Sequence, residues 1–208
     1  MSPAPLGASR AGLAAMKRGA VVLSAVLLFG HGGLLQAAPA EPPSKPASPP
    51  AQELRAQVLS LLEQADAFPP YGTRWQPLGP AALGVLEELA SNPKAPAPQR
   101  VRAVTSMAAV DHPQAADYLR TLLEDTHTQP PLRASAATAL SLRAGSDAIP
   151  TLLPFLQDRD EHVRVAVARA LGRLGGAQVQ QALEERIPDE ADPLVREALQ
   201  QGLTFIEP

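Results

Sequence analysis

Cysteine does not occur among the 208 residues, which excludes disulfides, thiol chemistry and lipid attachment at a cleavage-site cysteine together. Aromatic residues make up only 3% of the chain although 45% is hydrophobic, so any core must be aliphatic. The excess lies in Ala and Leu, good helix formers that also allow helices to approach closely. Basic charge is in deficit beyond the N-terminal stretch. Arg10, Lys17 and Arg18 precede Ala40 and all 21 acidic residues follow it, which leaves the remainder at −6. Such a segment lacks the field that nucleic acid requires. Neither a phosphate-binding Gly loop nor a nucleophile elbow is present.

The first forty residues obey different rules from the rest. Met16-Lys17-Arg18 is a basic start, residues 20–30 (AVVLSAVLLFG) form an unbroken apolar run, and Ala38-Pro39-Ala40 offers small residues at a cleavage site. Residues 1–40 therefore read as an N-terminal extension and secretory signal peptide, cleaved near Ala40, with Met16 an alternative initiator. The apolar run falls short of the roughly 20 residues that span a bilayer, and His31-Gly32-Gly33 weakens any extension of it. An uncleaved anchor is the lesser alternative. Export is expected, periplasmic or secreted, without stable membrane insertion after cleavage. Residues 41–50 belong to a Pro-rich tract (PAEPPSKPASPP from Pro39) too poor in apolar side chains to pack. It reads as an extended linker.

Residues 51–77 predict a capping helix and a loop. Leu54, Val58, Leu61, Leu62 and Ala65 recur at helical spacing, and Phe68-Pro69-Pro70 ends the run. Trp75, the sole Trp, is expected to cover the open end of the core, because aromatics dominate buried area wherever they occur.

Residues 78–208 repeat. Val101-Arg102, Leu132-Arg133, Val163-Arg164 and Val195-Arg196 succeed one another at intervals of 31, 31 and 32 residues. Each pair opens a helix rich in Ala and aliphatics, and each such helix follows a shorter apolar one, near residues 80–90, 114–124, 148–157 and 177–186. Breakers fall where four helix pairs need them. Pro93, Pro96 and Pro98 interrupt the first pair, Pro130 and Pro131 the second, and Gly145, Gly175 and Gly176 lie between pairs. Pro193 sits just inside the last helix, where proline is tolerated, whereas Pro154 should kink or shorten the one that contains it. The fold class is all-α.

The third unit carries a family resemblance. Val163-Arg164 with Ala166, Ala170 and Leu171, preceded by Asp158 and Asp160 after Leu152, Leu153 and Leu156, resembles a HEAT repeat of the short, phycobilisome-lyase-like subtype. The resemblance covers residues 78–204. Units of 31 or 32 residues are shorter than the roughly 40–47 of typical HEAT and armadillo arrays. It implies a right-handed α-solenoid of stacked antiparallel helix pairs, about four repeats long, in which no pair buries its apolar stripe alone. It also implies a stacking ladder in which the Arg of one unit meets the turn acid of a neighbour, with Arg102, Arg133, Arg164 and Arg196 as the arginines and Asp158, Asp160 and Asp192 as acids, Arg164 drawing on Asp158 or Asp160 and Arg196 on Asp189 or Asp192. In the first two units Pro98 and Gln129 stand four residues before the Arg in place of an acid.

Catalytic groups are hard to assemble. Ser91-Asn92-Pro93-Lys94 has the S-x-x-K spacing of penicillin-binding enzymes, but in a Pro-broken loop without companion motifs. His112, His127 and His162 occur once per turn region rather than at metal-ligand spacing. Asp158, Asp160 and Glu161 lack the Gly and distal Glu of a calcium loop, and read better as helix caps. No catalytic residue, metal or cofactor is expected. In the third unit's second helix Val163, Ala166, Val167, Ala170, Leu171 and Leu174 form the core stripe. The positions opposite it, across the second helices, are Ala103, Ser106 and Val110, then Ala134, Ala137 and Ser141, then Val165, Ala168 and Gly172. Second helices line the concave side in the resembled family, so these residues are expected either to floor a partner-binding groove, with Arg143, Arg169 and Arg173 as a basic rim, or, equally, only to let the inner helices crowd. The expected function is a monomeric, exported, non-enzymatic scaffold that binds another protein or peptide. The alternative is a bilin-lyase-like or chaperone protein of the same repeat type, and a purely structural module is a third reading.

Overall fold

The computed structural model describes residues 50–64 and 72–206. The expected export signal, residues 41–49 of the linker and the Phe68-Pro69-Pro70 helix stop lie outside the described residues. Among the described residues all secondary structure is helical: α1 (Ala51–Glu63), α2 (Gly72–Trp75), α3 (Ala82–Ser91), α4 (Ala97–Ser106), α5 (Ala115–Glu124), α6 (Pro130–Ala144), α7 (Ile149–Leu152), α8 (Glu161–Leu174), α9 (Ala177–Arg186) and α10 (Pro193–Thr204). No helix among them is long and apolar enough to cross a membrane.

The helices pair as α3/α4, α5/α6, α7/α8 and α9/α10, and the second members α4, α6, α8 and α10 pack in succession. This is an all-α solenoid of four stacked units. Helix α1 packs on α3 and α4 and closes one end, burying Leu54, Val58 and Leu62. Trp75, 5% exposed, joins the same apolar cluster, which runs without interruption through all four units.

Local chemistry explains the punctuation. Helices α6 and α8 stop at Gly145 (φ 57°) and Gly175 (φ 70°), whose N–H groups donate to Ser141 O and Leu171 O. Only glycine adopts that left-handed backbone without cost. In the third unit the α-helix lasts only from Ile149 to Leu152 and continues as a 3-10 helix, Leu153–Gln157. Pro154 has no N–H for an i−4 bond, and its ring would press on the carbonyl four residues back.

Helices α8 and α10 make a glycine crossing. A Cβ on Gly172 would overlap Gly202 Cα and lie 3.0 Å from Gly202 O, while one on Gly202 would lie 3.2 Å from Ala168 O. Gly172 and Ala168 are thus where α10 seats against α8, and any larger side chain must part the two helices.

Candidate functional site

Two polar features run along the stack. The first is a chain of arginines and carboxylates that links the units. Arg133, 3% exposed, donates from Nε to Leu123 O at the end of α5 (2.9 Å). Its two Nη atoms grip both carboxylate oxygens of Asp158 in the next unit, at 3.0 and 2.6 Å. The Phe155 ring lies 5.8 Å from its guanidinium carbon, within cation–π range. Arg164 repeats the geometry one unit on, donating from Nε and Nη2 to Glu190 at 2.9 and 3.1 Å and from Nη1 to Asp158 O at 2.8 Å. Arg186 adds a bond to Glu190 Oε2 (2.7 Å), and Arg196 donates to Glu190 O (2.6 Å). Each turn acid therefore accepts the preceding unit's Arg on its carboxylate and its own unit's Arg on its carbonyl.

Burial raises the Asp158 and Glu190 carboxyls, but paired guanidinium and backbone N–H donors outweigh it. For Asp158 these are Arg133 and Asp160 N, for Glu190 they are Asp192 N and Arg164, and both carboxyls end below the usual carboxylate range. Bidentate, charge-assisted bonds of this kind are the strong ones.

Several assignments change here. Glu190, 3% exposed, is the second ladder acid and was missed by sequence reasoning. It lies six residues before Arg196, as Asp158 lies six before Arg164, and that spacing was the available signal. Asp160 and Asp192, four residues before the Arg, are helix caps instead: their Oδ1 atoms accept from His162 N and Val163 N, and from Leu194 N and Val195 N. Arg164 touches Asp158 through its carbonyl rather than its carboxylate. Among the described residues Arg102 has no acid partner and donates to Leu62 O of α1 (3.0 Å); His127, itself exposed, stands where the next unit would offer a turn acid.

The second feature is a groove of about 780 Å³ on the second-helix face. Helix α6 supplies Pro131, Ala134, Thr138 and Leu142, helix α8 supplies Glu161, His162, Val165, Ala166, Arg169 and Arg173, and Asp192 and Leu194 close the far side. Of the expected floor, Ala134, Val165, Arg169 and Arg173 are present. Ala103, Ser106, Val110, Ala137, Ser141 and Ala168 are buried, at 8% exposure or less, and Gly172 is buried in the α10 crossing. The face opposite the core stripe is not free, because each inner second helix is flanked by the second helices of both neighbours. Only a narrow strip remains, one position round from the expected one: 134, 138 and 142 rather than 134, 137 and 141. Ala166, assigned to the core stripe, is half-buried and lines the groove. Arg143 does not join the rim, since its Nη2 is tied to His112 O (3.1 Å) and Asp111 (3.2 Å).

Leu142 (45% exposed), Leu194 (64%) and Phe205 (69%) are the exposed large hydrophobic residues of the described domain, and all belong to second helices or their ends. Leu142 and Leu194 lie in the groove itself. Sequence reasoning passed over both, although Leu142 follows Thr138 by one turn and Leu194 follows Pro193 at a helix start.

The remaining polar candidates sit in ordinary places. Ser91 Oγ donates back to Glu87 O (2.7 Å) at the end of α3, a helix-end bond. Asp160, Glu161 and His162 could bring three ligand atoms within 4.8 Å of one another. They lie at the start of α8, where Asp160 is engaged as a cap and Glu161 and His162 belong to the groove already described.

Residues 126–204, the last two and a half units, match the family model for HEAT repeats. These residues are HEAT repeats. The match is to HEAT repeats in general and does not single out the lyase-like subtype. A search of curated proteins returns no match. HEAT repeats generally mediate protein–protein interaction, and the matched stretch contains every residue that lines the groove.

Proposed function

We propose that this HEAT-repeat protein is an exported, non-enzymatic scaffold that holds another protein, or a peptide segment of one, in the groove formed by α6, α8 and the start of α10. The observation that carries the reading is the exposure of Leu142 and Leu194 to solvent within one concave apolar strip. Scattered surface leucines need no explanation, but apolar side chains gathered in a cleft and rimmed by charge mark an interaction site. The basic start and apolar run before Ala40 support export.

A photo-crosslinking side chain placed at Val165 tests the reading in the native host. Discrete adducts are expected from that position and none from Gln181 on the α9 side. Equal labelling from both positions, or adducts that survive Ala134→Glu in a variant of normal helicity, would sink it. Absorbance titration with a bilin separates the scaffold from the lyase-like alternative, since only the latter should shift the pigment spectrum.

A further inference from the structure

The groove is not electrically uniform along α8. At its N-terminal end stand two carboxylates: Asp192, which caps α10, and Glu161, in the first turn of α8, where the helix dipole favours an anion. At the other end lie Arg169 and Arg173, one helical turn apart. The second helices carry eight arginines, and the other six all donate to a carbonyl or carboxylate within the domain. Arg169 and Arg173 have no hydrogen-bond or ion-pair partner among the described residues, and both face the groove. Partial desolvation, and then the charge of Arg169, press on Arg173 in the direction of losing its proton. Like charges at i and i+4 cost a helix some tenths of a kcal/mol. The pair thus does nothing for the fold that a neutral pair would not do better.

The spacing restricts what can meet them. Side chains one turn apart on a helix have Cβ atoms about 6 Å apart, and alternate residues of an extended chain are separated by about 6.7 Å along one face. Two acidic residues at alternate positions of an extended segment can therefore each reach one guanidinium. The adjoining floor, Ala134, Thr138 and Val165, is shallow and takes aliphatic side chains, with Leu142 beside Arg173 in the repeat register.

Resting on the reading of this groove as the docking surface, we infer that its occupant is an extended, acidic and aliphatic segment of another protein, with carboxylates at alternate positions on Arg169 and Arg173. The partner's recognition motif is then acid-x-acid flanked by Leu, Ile or Val.

Selection of random dodecapeptides displayed on phage against the purified chain tests this directly. The expected consensus contains Asp or Glu at alternate positions beside aliphatic residues. The double variant Arg169→Glu/Arg173→Glu, whose side chains lie outside the core, should weaken binding of a selected peptide by about tenfold or more and redirect a fresh selection toward Lys and Arg. A neutral aliphatic consensus that survives the double charge reversal but is lost in Val165→Glu overturns the acidic occupant and leaves the docking surface standing. No enrichment, or peptides indifferent to Val165→Glu in a variant of unchanged circular dichroism, overturns both.

Discussion

Glu190 shows how much one carboxylate can hold in a repeat array. Its two oxygens accept from Arg164, Arg186 and Asp192 N, and its carbonyl accepts from Arg196. Removing one partner of a buried, hydrogen-bonded ion pair strands the others and costs about 3 kcal/mol. Glu190→Gln is therefore expected to lower unfolding stability by about that amount in urea, and a loss below about 1 kcal/mol would show the cluster to be passive. Acid should act in the same direction. The folded-state pKa values of Glu190 and Asp158 lie below their ordinary values of 4.5 and 3.8. Their contribution is thus complete above those ordinary values and is lost as pH falls through the lower folded-state ones, where the folded form must take up protons. Wild-type stability should decline below about pH 4.5, and Glu190→Gln should show a shallower decline. Parallel pH profiles would refute the assignment.

At the scale of the helix, the four second members begin in two ways. Helices α8 and α10 are capped by Asp160 and Asp192, whereas α4 and α6 follow Pro96 and Gln129 without a side-chain cap. The difference has a cause in the first turn. Helix α6 opens with Pro130-Pro131, so two of its orphan N–H groups do not exist, and Pro131 stands at one of the two positions from which a cap accepts. Asp160→Ala should accordingly cost about 1 kcal/mol, and Gln129→Ala less than about 0.5 kcal/mol, by thermal or urea unfolding. Equal losses would contradict this account. The same scale explains what was legible in the sequence. Val-Arg and Leu-Arg pairs, prolines and glycines announced the four helix pairs because each acts within a few residues of itself. The groove was legible only in part, since whether Ala137 or Thr138 faces solvent depends on which neighbouring helices flank α6. The Gly172 crossing had no local signal at all, for its partner Gly202 lies in another unit. Asp160 and Asp192 drew attention by standing four before the Arg, while the ladder acids stand six before it, a distance set by the path of the turn.

Over the whole molecule these differences make the stack uneven. In a solenoid, stability is close to a sum of unit terms and nearest-neighbour interface terms. The interfaces between the second and third and the third and fourth units each contain a bidentate Arg–carboxylate bridge with a buried carboxylate, Arg133–Asp158 and Arg164–Glu190. Between the first and second units the corresponding link is a single exposed bond from Arg100 to the neutral amide of Gln129, at 3.2 Å. Arg102 meanwhile turns away from the second unit to the carbonyl of Leu62 in α1, so the charged link that joins later units is spent here on the cap, and only apolar packing and the Arg100 bond hold the first unit to the second. Partial opening should therefore begin at that junction, with α1, α3 and α4 leaving together and the last three units remaining folded. Hydrogen exchange read by mass spectrometry is expected to show the amides of α4 exchanging at least about tenfold faster than those of α8, although both helices are flanked on each side. Replacing His127 by Asp supplies a turn acid at the position occupied by Asp158 and Glu190 in later units, within the register of Arg102, and should narrow the gap. Equal protection of α4 and α8 in the wild type would mean that apolar stacking alone sets the cooperativity, and that the ladder adds little to it.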